Sequence, residues 1–305
     1  MAKHNPLDPV QINCLKQNVE DLGCTVNSEA CHELEKKIRP TADKKKIVVV
    51  GGGPAGMEAA RICSIRGHQV ILYEASEKLG GKLKFASKRI QKFDEDNLVK
   101  WYEEELLTLG VELRLSEVAT LEKIVNEKPD HIFLAQGSRP KPYFFKGMES
   151  EKITNPIDVI SDKTIVGPKC LVIGGTIAGC ESALHLAMHR HKLTIVTINK
   201  DILTEDMAAA KRKLFMDLLT QYKVTVLTEA SLVEVTESGV IIKVKGNQEE
   251  IPAHHVIIDL GEEPVEGLYF ELIKAGLAVQ KIGDNRVIGG IQQAISDGNL
   301  AACHI

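Results

Sequence analysis

Two stretches of this chain repeat one pattern: an apolar run, a glycine-rich turn, and a run of small and apolar residues. They are VVVGGGPAGMEAARI at 48–62 and LVIGGTIAGCESALHL at 171–186. A short apolar run that ends in glycine reads as a buried parallel strand, and the run behind each turn as a helix. Parallel strands are joined by crossovers that lay helices on the sheet faces, so two such units commit the chain to an α/β architecture. A length of 305 residues allows about two domains.

The two turns differ. The first carries Gly51, Gly53 and Gly56. That spacing supplies a tight turn, a close backbone approach to a diphosphate, and close helix–strand packing. Lys46 to Val50 reads as the strand and Met57 to Ser64 as the helix. The helix N-terminus, at Pro54, Ala55 and Gly56, favours negative charge through its free N–H groups and dipole. The next strand, QVILYE, ends in Glu74, an acceptor placed for a ribose hydroxyl pair. Directly after it, ASEKLGGKL contains Ala75, the Gly80–Gly81 pair and Lys82, a second place where backbone comes close to a ligand. Near the end of the chain, VQKIGDNRVIGGIQQ places Gly283 and Asp284 after a strand, then a glycine pair at Gly289 and Gly290 that opens a helix at Ile291. Such an end sets Asp284 on a polar ligand chain and aims helix N–H groups at a phosphate or a flavin carbonyl.

The second turn keeps Gly174 and Gly179 but has Thr176 at the middle position, where a side chain stands between backbone and diphosphate. The following strand, KLTIVT, ends in Thr197 instead of an acid, and INKD offers only Lys200 for a 2′-phosphate. DLGEEP adds Asp259, Glu262 and Glu263, and like charge disfavours an anionic ligand. Nicotinamide binding in the second unit stays open on these grounds.

GGGPAG, Glu74, the glycine pair, FLAQGSRP at 133–140 and the terminal IGD together resemble the two-dinucleotide-binding-domain flavoproteins, the pyridine nucleotide-disulphide oxidoreductase-like group. In these an NAD(P)-type Rossmann-like domain is inserted into an FAD-type one. The resemblance runs from about Lys46 to the C-terminus. Within the group the chain is most similar to the C-terminal FAD/NAD(P)H half of the 2,4-dienoyl-CoA reductase, trimethylamine dehydrogenase and enoate reductase proteins, through CTVNSEACHELEKKIRP at 24–40. The resemblance implies FAD contacts at Ala135, Gln136 and Gly137, and backbone of Val118 beside the adenine. It also sets Lys82 near the flavin, where it would stabilise a reduced anionic ring; a surface lysine is the other reading. No other side chain stands out for acid–base or nucleophilic work.

In those relatives an FMN barrel and a four-cysteine iron–sulfur segment come first. A barrel takes about 250 residues, and the sequence before Lys46 is far too short for one. Cys24 and Cys14 match the last two cluster ligands, but Leu7 and Val10 fall near the positions of the first two. Four thiolates are the usual requirement. The expectation is no cluster held by this chain alone, with Cys14, Cys24 and Cys31 as ordinary thiols; a cluster completed by a partner is the alternative. The absence of any CxxC or CxxxxC pair counts against a dithiol–disulfide reductase.

The expected domains are an N-terminal arm with the remnant cysteine segment at 1–43, an FAD-binding domain at 44–141 and 265–305, and an NAD(P)-binding-like insert at 142–264. In the arm, Asn27 or Ser28 starts a short helix. DNLVKWYEEELLTLG at 96–110 reads as a helix ended by Gly110, with Trp101 and Tyr102 in the core. EDMAAAKRKLFMDLLTQYK reads as an amphipathic helix, and the segment after it as strands with a turn at Ser238–Gly239. Cys63 and Cys180 read as core fillers, and His185, His189 and His191 as a solvated helix end, with no metal expected.

A net charge of −4 gives no footprint for nucleic acid. KKIRPTADKKK at 36–46 reads as a solvated linker. No apolar run approaches the ~20 residues of a membrane helix, so no membrane insertion is expected, and the N-terminus lacks a signal-peptide core. Seven scattered cysteines fit a reducing, cytoplasmic setting. The function these features point to is an FAD-dependent oxidoreductase subunit that transfers electrons between NADH or NADPH and a separate FMN-barrel or iron–sulfur partner. The alternatives are a structural module holding FAD or ADP, and a stand-alone small-molecule reductase.

Overall fold

The computed structural model describes residues 24–30, 33, 37–86, 93–204, 207 and 209–305. They divide into two compact units, one drawn from Met1–Leu83, Asp96–Ser138 and Pro264–Ile305, the other from Lys84–Glu95 and Arg139–Glu263. The chain passes from one to the other at Leu83–Lys84, Glu95–Asp96, Ser138–Arg139 and Glu263–Pro264.

In the first unit, β1 (Lys46–Val50) is followed by α1 (Pro54–Arg66) and β2 (Gln69–Glu74). Then come α2 (Leu83–Ala86), which passes into the second unit at Lys84, α3 (Phe93–Thr108), which is back in the first from Asp96, β3 (Glu112–Leu115), α4 (Leu121–Glu127), β4 (His131–Leu134) and β5 (Ser138–Pro140), which enters the second at Arg139. The second unit runs through β6 (Ile153–Thr154), α5 (Pro156–Ile160), β7 (Lys169–Ile173), α6 (Ile177–Met188), β8 (Lys192–Val196), α7 (Ala209–Gln221) and β9 (Thr225–Leu227). It continues with β10 (Ala230–Val235), β11 (Gly239–Val244), β12 (Asn247–Pro252), β13 (His255–Ile258) and β14 (Glu262–Pro264), which pairs with β5. Back in the first unit are α8 (Gly267–Lys274), β15 (Val279–Lys281), a 3₁₀ turn at Gly283–Asn285, and α9 (Ile291–Cys303).

The first sheet is parallel throughout, in the order β15-β4-β1-β2-β3. Successive strand residues point to opposite faces, and the core divides accordingly. Ile47, Val49, Val70, Leu72 and Phe133 pack with Met57, Ile62, Tyr102, Leu106 and Ala301 from α1, α3 and α9. Val48, Val50, Ile71, Tyr73, Ile132 and Leu134 pack with Ile124 of α4 and Leu272 of α8. Helices on both faces explain why β1 reads as an unbroken apolar run. The second unit repeats the plan with a parallel sheet in the order β6-β13-β7-β8-β9. One face carries α5, α6 and α7, and the antiparallel sheet β10-β11-β12 covers the other.

Gly67, in the left-handed region (φ 97°), closes α1, and Gly110 (φ 73°) lies just past α3. Cys63 and Cys180 are fully buried; burial pushes the Cys63 thiol up to about 12, which leaves it inert. Two expectations need correction, and a third shifts in position. Trp101 is 42% exposed and lies under the guanidinium of Arg61, whereas Tyr102 alone is core. The turn expected at Ser238–Gly239 joins β10 and β11 at 236–238, and Gly239 opens β11, where a Cβ would overlap the Ile251 carbonyl oxygen. At the N-terminal arm, Asn27 Oδ1 accepts from the Glu29 N–H at 3.0 Å, but residues 28–30 form a turn. Residues 1–23, 31–32 and 34–36 of the arm, with Cys14 and Cys31, lie outside the described residues, while Cys24 is a half-buried free thiol.

Two buried polar groups in the first unit give measurable consequences. Glu58, buried on α1, accepts from Arg61 through both oxygens (2.8 and 3.0 Å), from the Tyr102 hydroxyl (3.1 Å) and from Asn299 Nδ2 (2.9 Å). Removing one member of a buried ionic network strands the others, so Glu58→Ala should cost about 3–5 kcal/mol of unfolding free energy; urea denaturation would measure it, and a loss under 1 kcal/mol would show the network to be idle. His68 Nδ1 accepts from the Lys45 N–H at 3.1 Å, and burial lowers its affinity for a proton below the ordinary value near 6.5. Burial lowers His131 in the same way. The unfolded chain therefore binds protons first, so this stability is complete above about pH 6.5 and is lost as pH falls below it. The thermal midpoint should be lower at pH 5.5 than at pH 7.5.

Candidate functional site

At the carboxyl ends of β1, β2, β4 and β15 the first unit builds a cradle from backbone. Gly51 has φ 109°, and a Cβ on it would overlap the Ala135 carbonyl oxygen; a Cβ on Gly56 would overlap the Gly51 carbonyl oxygen. Nothing lies within 4 Å of where a Gly53 Cβ would stand. Gly53 is the N-cap residue of α1, it offers no side chain to the first turn, and Pro54 follows at the first helical position. The positive end of the helix dipole therefore opens onto bare backbone.

The flanks hold this loop in place. Gly51 N–H donates to the Tyr73 carbonyl (2.8 Å), Gly80 N–H to the Gly52 carbonyl (2.8 Å), and Ala135 N–H to the Val50 carbonyl (2.8 Å). Glu74 Oε2 accepts from the Gly52 N–H at 2.7 Å, and its Oε1 from the Ser76 N–H at 2.9 Å. The carboxylate is half-buried at the end of β2, beside Ala75. Gly81 (φ 52°) lies against Gly53 across the loop.

Lys82 Nζ donates to Ser138 Oγ at 2.7 Å and lies 3.8 Å from Asp284 Oδ2; Ser138 Oγ is 3.3 Å from the same oxygen. Asp284 Oδ1 accepts from the Gly289 N–H at 3.0 Å. Gly290 caps α9 without a side-chain hydrogen bond, so Ile291 begins a second open helix end. Gly283 (φ 59°) is held by Asp297, which also binds Arg286. Asn285 is fully buried; its Nδ2 donates to the Val265 carbonyl, and its Oδ1 has no partner, as is true of Gln136 Oε1. Buried orphan atoms, a cradle that Cβ atoms would fill, and two uncapped helix ends fit FAD at Gly51–Gly56, Glu74, Gly81, Lys82, Ala135–Gly137, Asp284 and Gly290. Val118, beyond β3, is exposed, and its carbonyl accepts from Lys123 Nζ at 3.2 Å. Ser138, Asn285 and Asp297 were not signalled by the sequence motif, because their roles depend on strand ends brought together only by the sheet.

The second unit repeats the backbone pattern. Gly174 N–H donates to the Val196 carbonyl (2.8 Å), and Leu203 N–H to the Gly175 carbonyl (2.7 Å). Gly174 has φ 120°, and its Cβ would overlap the Asp259 carbonyl oxygen. The difference lies at α6. Thr176 is its N-cap, with Oγ1 hydrogen-bonded to Asp259 Oδ2 and 3.5 Å from the Gly179 N–H. That amide donates to Asp259 Oδ2 at 2.8 Å. The Thr176 side chain is thus folded onto the helix end together with a carboxylate, a partner that the sequence reading treated only as diffuse charge. Thr197 is buried, with Oγ1 accepting from the Asn199 N–H, and Lys200 is exposed. The Gly179 amide at this helix end is thus already taken by a side-chain carboxylate.

A cleft of about 40 Å³ lies beside this helix end, lined by Lys141, Tyr143, Asn155, Asp259 and Glu262 among others. The His185 and His189 rings meet at a tilt, centroids 4.8 Å apart, at the far end of α6, and His191 Nδ1 binds the Gly167 carbonyl. No group of three metal-capable side chains occurs among the described residues. Nor is any described helix long and apolar enough to cross a membrane.

Two parallel-sheet units, one with an open glycine cradle at its switch point, define a protein of the two-dinucleotide-domain class. Residues 10–129 and 115–288 match the model of the pyridine nucleotide-disulphide oxidoreductase family, and the chain belongs to that family. Membership implies binding of FAD and NAD(P)H. The chain is 38% identical to an NADH oxidase of Thermoanaerobacter brockii, over 93% of this chain and 44% of the relative. It is 34% identical to a cinnamate reductase of Clostridium sporogenes, over 92% of this chain and 42% of the relative. Among solved structures it is similar to 2-naphthoyl-CoA reductase, with a TM-score of 0.87 and 29% identity over 93% of this chain and 43% of that one. The chain thus spans less than half the length of these relatives.

Glu74→Ala removes a charged acceptor that also anchors the loop. A hydrogen bond to a charged group contributes about 1.5–3 kcal/mol, roughly 10–100-fold in affinity, and FAD fluorescence titration should show a loss of that order. Gly56→Val should abolish retention altogether.

Proposed function

We propose that this chain is the FAD-dependent electron-transfer part of an oxidoreductase, moving electrons between NADH or NADPH and a separate FMN-barrel or iron–sulfur subunit. The observation that carries this reading is the open N-terminus of α1, framed by Gly51, Gly53 and Gly56 with Glu74 at the neighbouring strand end. FAD, when bound, supplies hydride acceptance and release of electrons to a partner. The protein holds the diphosphate with α1 amides and dipole, and the ribose with Glu74. Lys82, set between Ser138 and Asp284, brings positive charge to the strand edge, where it favours a reduced, negatively charged ring.

In this reading an enoate reductase-type barrel or cluster subunit is the chemistry that would receive the electrons. The cysteines suit a cytoplasmic setting, with Cys24, Cys63, Cys170, Cys180 and Cys303 in no disulfide. One observation favours a second reading, a module that holds FAD or ADP without nicotinamide: the carboxylate of Asp259 on the N-terminus of α6.

The protein loaded with FAD should be yellow, should release its flavin on heat denaturation, and should bleach anaerobically with NADH or NADPH. Failure of both nucleotides to bleach it would defeat the electron-input reading in favour of the holding module.

A further inference from the structure

The two units offer an internal comparison, because their loops superpose in hydrogen bonding. FLAQG at 133–137 and IIDLG at 257–261 close the fourth strand of each motif in the same relation to the glycine turn. In both, the carbonyl of the third residue lies where a Cβ on the first motif glycine would stand: Ala135 against Gly51, Asp259 against Gly174. Ala135 and Asp259 are therefore equivalent positions. In the first unit that side chain is a methyl, 3.1 Å from where a Gly56 Cβ would be, and the helix end above it is uncapped. In the second it is a carboxylate, 8% exposed, bonded to the amide of the equivalent glycine, Gly179 (2.8 Å), and to Thr176.

We propose that Asp259 is a resident anion that takes the place of the dinucleotide diphosphate at the N-terminus of α6, and so sets a weak affinity of this chain for NADH and NADPH. Threonine is an N-cap residue in its own right, and here the Gly179 amide has Asp259 Oδ2 at 2.8 Å in addition to Thr176 Oγ1 at 3.5 Å. A carboxylate on the same amide neutralises the positive end of the helix, which is what a diphosphate uses. It also places fixed negative charge against any phosphate that approaches, in a site with little water to screen it. The proposal assigns the block to Asp259, with Thr176 as the hydroxyl that holds the carboxylate in place. It rests on reading the second unit as the nicotinamide-nucleotide unit.

The test is calorimetric titration of the FAD-loaded full chain with NAD⁺ and NADP⁺, which bind without reducing the flavin. Asp259→Ala should tighten binding of one of them at least tenfold. Asp259→Asn, which keeps size and a carbonyl acceptor but loses the charge, should give a smaller gain in the same direction, and it guards against a fold defect in the alanine variant. Thr176→Gly alone should give less than either. Unchanged or weaker binding in both Asp259 variants, no binding by any protein, or the full gain from Thr176→Gly alone would overturn the proposal. Anaerobic bleaching in the same proteins separates it from the electron-input reading. If Asp259→Ala binds tightly but neither protein bleaches, the electron-input reading fails and Asp259 stands as the block. If the native chain bleaches and binds as tightly as its variants, the reverse holds.

Discussion

The free amides at the start of α1 are the constraint around which the first unit is arranged. A helix has four N–H groups at its N-terminus with no partner inside the helix. Here the N-cap is Gly53 and Pro54 follows, so the chain supplies no side chain to that end. Everything nearby keeps it that way. Gly51 and Gly56 permit β1, the Ala135 loop and α1 to meet without a Cβ between them, and Gly298 lets α9 pack on the Ala55 carbonyl. The buried carboxylate of Glu58 ties α1 to α3 and α9, which fixes the direction in which the open end points.

The second unit shows that this backbone plan is separable from its ligand chemistry. The same parallel sheet, the same left-handed first glycine and the same loop hydrogen bonds recur around Gly174. Two positions, Thr176 in place of Gly53 and Asp259 in place of the Ala135 methyl, convert an open helix end into a satisfied one. A fold can therefore carry a family relationship intact while one of its two sites changes character, and site arguments have to be made residue by residue.

Much of this was legible in the sequence. The extents of β1 and β2 follow from apolar runs closed by glycine and acid, and the open of α9 at Ile291 follows from the Gly289–Gly290 pair. Local signals fix these, since each is a matter of backbone freedom or strand period. Trp101 was misread because helical spacing places it near Tyr102, while the boundary of the apolar stripe, where Arg61 covers the indole, depends on a neighbouring helix. Gly239 was placed in the turn because a glycine serving close cross-strand approach looks like a turn glycine until the partner strand is known. Lys82, Ser138 and Asp284 converge from three separate chain segments, and only the sheet order brings them together. Asp259 had a signal that was available: aligning FLAQG with IIDLG sets it opposite Ala135, but the direction of its side chain needed the fold.

The asymmetry between the two units bears on how electrons would reach the flavin. An oxidoreductase that works with a partner can run in either direction, and it does not need tight nicotinamide binding if the partner is the donor. Binding that is too strong at a second site would hold substrate without helping the chemistry, because only interactions that strengthen on the way to the transition state raise the rate. A carboxylate already seated on α6 loosens the nucleotide without disturbing the sheet, the loop or the open cradle of the first unit. Loss of the glycine loop itself would have cost the close strand–helix contacts at Gly174 and Gly179. Changing the charge beneath a conserved backbone geometry is the smaller structural step, and it acts on the term that governs diphosphate binding.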